Sequence, residues 1–169
     1  MLEKDELLEA TARLTPQWLA GFFDGEGSVF ICQSPGMKNP QLRVSITQAE
    51  PVLLVLIATK FDIPCGPHHR PDPRSRKPKY EIVYNGKNAV PLLEYVKNHV
   101  ILKRKQVELA LEFAALILGK GFWRGNETPV DVSSKRVRIA KEIQELNRDD
   151  KSELYEELKK VLSSTGGAL

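Results

Sequence analysis

Nine residues, Leu19-Ala20-Gly21-Phe22-Phe23-Asp24-Gly25-Glu26-Gly27, constrain this chain more than any other stretch. Thr15 followed by Pro16 reads as a helix N-cap with proline in the first turn. A helix is therefore predicted from Pro16 to about Asp24, ending where Gly25 and Gly27 permit positive φ. Glycine in so short a helix costs about 0.5–1 kcal/mol against alanine, so its repeated use calls for a reason. Gly21 and Gly25 lie four residues apart and share a face with Trp18, a face small enough for another backbone to come close. Leu19, Phe22 and Phe23 are assigned to the chain's own core. Asp24 and Glu26 fall at the helix C-terminus, where the macrodipole disfavours anions. A bound divalent cation reverses that penalty and recruits carbonyls of the last turn as further oxygen ligands. Two copies packed through the glycine face would bring two carboxylate tips together beside a two-fold axis. That arrangement suits metal-assisted cleavage of two symmetry-related phosphodiesters.

The remaining pattern surrounds this helix with strands and further helices. Residues 3–13 carry a helical pattern through Leu7, Leu8 and Ala12. After the glycines, Val29 and Ile31 alternate with Ser28, Phe30, Cys32 and Ser34. Pro35-Gly36 and Asn39-Pro40 mark a turn, and Leu42, Val44 and Ile46 then alternate with Gln41, Arg43, Ser45 and Thr47. Glu50-Pro51 opens a helix that ends near Phe61. Extended runs follow near Gly66–Arg70 and Lys79–Tyr84, the latter with Tyr80, Ile82 and Tyr84 facing inward and Lys79, Glu81 and Val83 outward. Helices are predicted from about Lys87 to Lys97, from Lys103 to Leu118, from a cap at Ser133 or Ser134 to about Asn147, and from Asp149 to Leu162. The order is α+β, αββαββα, with extra helices at both ends and a single copy of the glycine helix. Three segments follow: an N-terminal extension over 1–14, a core over 15–148, and an acidic helix and tail over 149–169.

At 169 residues the chain is long enough to bury a core without staples. No run approaches eighteen apolar residues, and Met1-Leu2-Glu3-Lys4-Asp5 opens no signal peptide, so no membrane role is expected. Cys32 and Cys65 stand apart, which reads as reduced thiols in an intracellular protein. The net charge of +3 is small, but it is segregated. Arg70, Arg74, Arg76, Lys77 and Lys79 face one acid, Asp72, and Lys97, Lys103, Arg104 and Lys105 form a second cluster, while acids gather near both termini. A sheet with one face on helices presents its other face to solvent. Here that face carries Arg and Gln side chains able to read base edges in a DNA major groove. The adjacent His68 and His69 point to opposite faces of a strand and make a poor zinc site. There is no P-loop and no Ser-His-Asp arrangement, and nothing calls for an organic cofactor.

LAGFFDGEG resembles the signature of the LAGLIDADG homing endonucleases, with Glu26 where the second acid is usually aspartate. The resemblance runs from about Thr15 to about Asn147. It implies a four-stranded antiparallel, saddle-shaped sheet that binds DNA, and a single signature implies a homodimer. Site-specific cleavage of both strands of a pseudo-palindromic duplex of about 20 base pairs, leaving 3′ overhangs and promoting intron homing, is then the expected activity. By this resemblance Glu26 and the Gly25 carbonyl hold Mg²⁺, with Mn²⁺ or Ca²⁺ able to take its place. Gln48 is either a plain strand-end glutamine or a polar residue arranging water at the site. Lys103 resembles the basic residue near the scissile phosphate, and its neighbours make a phosphate-positioning residue or a solvated lysine equally compatible. Val52 stands where some relatives carry another basic residue. The DNA-facing residues expected are Ser28, Phe30, Cys32, Ser34, Gln41, Arg43, Ser45, Thr47, His68, His69, Arg70, Arg74, Arg76, Lys77, Lys79, Glu81 and Val83. Trp18, Gly21, Asp24 and Gly25 are expected at the dimer interface. The alternatives are an RNA-binding splicing maturase on the same fold and a non-enzymatic DNA-binding regulator. Composition leans toward the cytoplasm of a prokaryote, an archaeal intron product included, over an organelle.

Overall fold

The computed structural model describes residues 4–32, 40–63, 66–71, 77–118, 129–148 and 160. Ser34, Arg74, Arg76, Cys65, the 35–39 turn and, Lys160 apart, the predicted terminal helix with its tail lie outside the described residues.

Helix α1 (Lys4–Ala12) leads into the glycine helix α2 (Pro16–Glu26). Thr15 caps α2, its hydroxyl accepting from Trp18 N at 3.2 Å, with Pro16 at the first helical position. A cap of this kind contributes about 1 kcal/mol. The helix runs two residues past the predicted end, through Gly25 and Glu26. Gly27 has φ −79° and ψ 153°, so the chain passes straight into a strand with no left-handed turn, and the expected positive φ is absent. Gly27 is glycine for want of room: a Cβ there would sit 2.4 Å from the Phe23 ring and 2.6 Å from the Phe23 carbonyl.

Strand β1 (Gly27–Cys32) pairs antiparallel with β2 (Gln41–Gln48), with Gly27 opposite Ile46 and Phe30 opposite Arg43. Helix α3 (Pro51–Lys60) follows, capped by the Glu50 carboxylate, which accepts from Val52 N at 3.2 Å. Strands β3 (His68–Arg70) and β4 (Lys79–Asn85) complete one antiparallel sheet in the order β1-β2-β4-β3. A 3₁₀ turn (Gly86–Ala89), with Gly86 at φ 54°, precedes α4 (Val90–Val96). Helices α5 (Arg104–Leu118) and α6 (Val130–Arg148) close the fold. α6 begins three to four residues before the predicted Ser133 or Ser134 cap, because Ser133 N already donates to Pro129 O at 2.9 Å.

The helices cover one face of the sheet. Leu42, Val44, Ile46, Ile82 and Tyr84 are completely buried against Leu19, Phe23, Leu54, Ile57, Leu92, Val107 and Phe113. The alternation read from β2 and β4 is therefore the observed register. The N-terminal segment joins this packing: Thr11 and Leu14 are buried, Lys60 Nζ donates to Thr11 O at 3.3 Å, and Tyr95 OH donates to Leu14 O at 2.8 Å. α6 lies along the edge strand β1, where Asn147 Nδ2 donates to Val29 O at 2.8 Å. Its buried Arg136 donates to Leu116 O at 2.9 Å, and burial pulls the guanidinium pKa below its ordinary value.

Candidate nucleic-acid interface and acidic tip

α2 divides its residues between two faces. Leu19, Ala20 and Phe23 are buried, whereas Trp18, Gly21 and Gly25 are exposed. Phe22 is half-buried and stacks on Trp18 with centroids 5.2 Å apart and rings 14° from parallel. It also packs against the core, as expected, so one ring spans the core and the outer face. A Cβ on Gly21 or Gly25 would meet nothing within 4 Å among the described residues. Among the described residues nothing requires glycine at these two positions.

At the C-terminal end of α2 the two acids part company. Asp24 is half-buried, and its carboxylate accepts from Ile101 N at 2.7 Å and from Lys103 N at 2.9 Å. It thereby fixes the turn that leads into α5, where Val107 N donates to Lys103 O. The Lys103 side chain folds back, Nζ donating to the Asp24 main-chain carbonyl. Asp24 and Lys103 thus bind the end of α2 to the start of α5 through three hydrogen bonds. Glu26, two residues on, is exposed. The β1–β2 register places Gly27 opposite Ile46, so Gln48 lies two residues further along β2, at the same end of the sheet. Gln48 Oε1 accepts from Ala49 N at 2.7 Å, which leaves its amide NH₂ as the outward-acting group. Glu26, Gln48 and Lys103 are thus delivered to one end of the fold by α2, β2 and the α5 entry.

Among the described residues of one chain, no three His, Cys, Asp or Glu side chains gather to hold a metal ion. The donors at the tip are hard oxygens: the Glu26 carboxylate and the carbonyls of the last turn. Of those carbonyls, Phe23 O accepts from Gly27 N and Asp24 O accepts from Lys103 Nζ. Gly25 O is next in line. One carboxylate and one carbonyl fit Mg²⁺ or Ca²⁺ in kind but fall short of the six ligands such an ion takes.

The open face of the sheet carries Ser28, Phe30, Cys32, Gln41, Arg43, Ser45, Thr47, His68, Arg70, Lys79, Glu81 and Val83 by strand alternation. His69 departs from expectation: it lies on the other face, edge-on to the Tyr80 ring at 6.0 Å, because it follows His68 directly on a strand. Lys77 is exposed just before β4. A cleft of about 490 Å³ opens on this face, walled by Ser28, Phe30, Arg43, Ser45, Arg70, Glu81 and Asn147. Lys97, Arg104 and Lys105 pair instead with Glu94, Glu108 and Glu142, which mutes the second basic cluster. One contributor carries no sign in the sequence. Asn147 reaches the cleft from a helix 118 residues away, a proximity with no local signal. Glu81 lies on the face as expected and is in addition buried, a feature that strand alternation does not announce.

No protein-family model matches this sequence, and no curated protein matches it. Solved structures do match it in fold. The homing endonuclease I-CvuI, in complex with its target in the presence of Ca, superposes with a TM-score of 0.59 at 19% identity, covering 96% of this chain and 99% of that one. The archaeal intron-encoded homing endonuclease I-Vdi141I, complexed with DNA, gives 0.58 at 19% identity, covering 80% of this chain and 85% of that one. The LAGLIDADG homing endonuclease I-GzeII, in complex with its DNA target, gives 0.58 at 19% identity, covering 76% of this chain but only 43% of that one. The fold is that of the LAGLIDADG homing endonucleases.

Proposed function

We propose that this chain, which carries the LAGLIDADG homing-endonuclease fold, is a homodimeric, divalent-metal-dependent endonuclease. It cuts both strands of a long pseudo-palindromic DNA site and leaves 3′ overhangs. The observation that carries this reading is the outer face of α2: two exposed glycines that no described residue of the chain crowds, ending at an exposed carboxylate. A second copy seated there explains the glycines and brings two Glu26 tips together, completing a site that one chain leaves short of ligands. The two lengths of structural neighbour agree, since this chain spans I-CvuI whole and under half of I-GzeII.

Each residue at the tip has a defined task in this scheme. The Glu26 carboxylate and Gly25 carbonyl would hold Mg²⁺ against the phosphates. When bound, the cation supplies an activated water and offsets charge on the leaving 3′ oxygen. Lys103, anchored on the Asp24 carbonyl, places its ammonium beside the same tip and stabilises charge on the phosphate oxygens. The Gln48 amide donates to and orients water. Asp24 contributes by position, since its carboxylate is committed to Ile101 N and Lys103 N. The open sheet face lies in the major groove and selects the site.

Incubating the protein with a randomised plasmid library in Mg²⁺ and sequencing the cut ends tests this directly. The expected products are linear molecules with 3′ overhangs at one family of two-fold related sites, and none in chelator. Specific binding without cleavage would instead favour a regulator. Preference for structured RNA over duplex DNA would favour a splicing maturase.

A further inference from the structure

Glu81 is the one acid among the described residues of the open face, and it is also buried, at 5% exposure. It sits opposite Thr47 on β2 and His68 on β3, near the middle of the sheet. Its two oxygens divide the surrounding donors. Oε1 accepts from Arg70 Nη1 at 3.2 Å, while Oε2 lies 3.6 Å from Arg43 Nη2 and 3.6 Å from His68 Nε2. Arg70 Nη1 also donates to Thr47 Oγ1 at 3.3 Å. Arg43 starts four residues away along the register, opposite Asn85, so its side chain must lie flat along the face to reach Glu81. On the way its guanidinium passes 5.4 Å from the Phe30 centroid, and its Nε is buried with no acceptor among the described residues.

An acid on a face meant for DNA weakens attraction to every phosphate. Burying it adds a desolvation cost that its ion pairs must offset. Neither serves affinity. Both serve discrimination, because long guanidiniums held in one geometry read a base edge better than free ones, and a negative charge beneath them penalises contacts that do not match.

We propose that Glu81 is a positioning residue for target recognition: it locks Arg43, Arg70 and His68 into one unit that reads adjacent base pairs, trading general DNA affinity for sequence discrimination. This rests on the DNA-binding reading of the sheet face. Because the three side chains share one anchor, loss of any one changes how the carboxylate is divided among the others, and they do not behave as independent readers.

The test is selection of bound duplexes from a randomised pool in chelator, so that binding is read without cutting. It compares the wild type with Glu81→Gln, Arg70→Gln and Arg43→Gln. Glu81→Gln is expected to bind random duplex about twofold to threefold more tightly. It should lose about tenfold discrimination at a short run of base pairs in each half-site, with other positions unchanged. The two arginine variants are expected to relax that same run of positions, each as a whole. If the wild type itself enriches no sequence, the DNA-recognition reading fails. If it enriches a site and Glu81→Gln discriminates as before, or weakens uniformly at all positions, the positioning role is overturned. Should Glu81→Gln fail to fold, the arginine variants decide: separate, non-overlapping losses would overturn the shared anchor.

Discussion

A methyl group added to Gly27 would lie 2.4 Å from the Phe23 ring, whereas one added to Gly21 or Gly25 would meet nothing within 4 Å among the described residues. Three glycines within seven residues thus answer to different demands. Gly27 lets β1 leave α2 directly under Phe23, and every atom that enforces it belongs to this chain. Gly21 and Gly25 face outward beside the stacked Trp18 and Phe22, where helix propensity alone would prefer alanine. The contrast separates what the fold needs from what the fold is for. Inward residues should fail in stability when changed, and outward residues should fail in function while stability holds or improves.

The sharpest break of that contrast is Glu26→Gln. We expect cleavage of the selected site to fall at least about a thousandfold, because a neutral amide is a poor ligand for a hard cation. Site binding should be nearly unchanged. Thermal stability should hold or rise by a few tenths of a kcal/mol, since an anion is removed from a helix C-terminus. Cleavage at the native rate would remove Glu26 from the site altogether.

Gly27→Ala and Gly21→Leu form the matched pair. The first should cost about 3 kcal/mol in urea unfolding, as the new methyl group must displace both a ring and a backbone carbonyl. The second should leave the unfolding curve of the dilute protein within about 1 kcal/mol. Its sedimentation should change from two-chain to one-chain, and cleavage should be lost with it. A Gly21→Leu protein that remains dimeric and active would show that the outer face is not the contact surface.

How much of this was readable beforehand follows from how local each cause is. Thr15-Pro16 and Glu50-Pro51 signal helix starts through contacts two or three residues away, and both caps are observed. Leu42, Val44 and Ile46 announce a half-buried strand by alternation alone, as burial at their positions demands. The start of α6 was also written locally, in Pro129, but the serines that follow look like stronger caps and draw the boundary late. Phe22 packs against the core as its place on the helix implies, but its stacking on the exposed Trp18 has no sign in the sequence. At Gly27, left-handed backbone and lack of space look identical in a sequence, and only the position of Phe23 distinguishes them. The Glu81 hub and the Asn147 contact depend on pairings across strands and across 118 residues, which no local pattern encodes.

The smallest expected effect probes the inward side for an exception. Tyr84 is completely buried on the core face of β4, yet its hydroxyl has no hydrogen-bond partner among the described residues. Burial raises its pKa well above the ordinary tyrosine value of 10.0, since the phenolate is far costlier to bury than the phenol. A group whose folded pKa is raised leaves stability untouched below its unfolded pKa and erodes it above, because only the unfolded chain then gains by losing the proton. Stability should therefore be insensitive to this residue below about pH 9 and should decline as the pH passes 10. Tyr84→Phe removes an unsatisfied polar atom from the core while keeping the ring. It should raise stability by about 1 kcal/mol near neutrality and make the alkaline decline shallower, as read by urea unfolding at pH 7 and pH 10.5. A loss of stability in Tyr84→Phe would mean that the hydroxyl is satisfied in solution, and that the inward face holds no exception to the rule that what lies there is there for the fold.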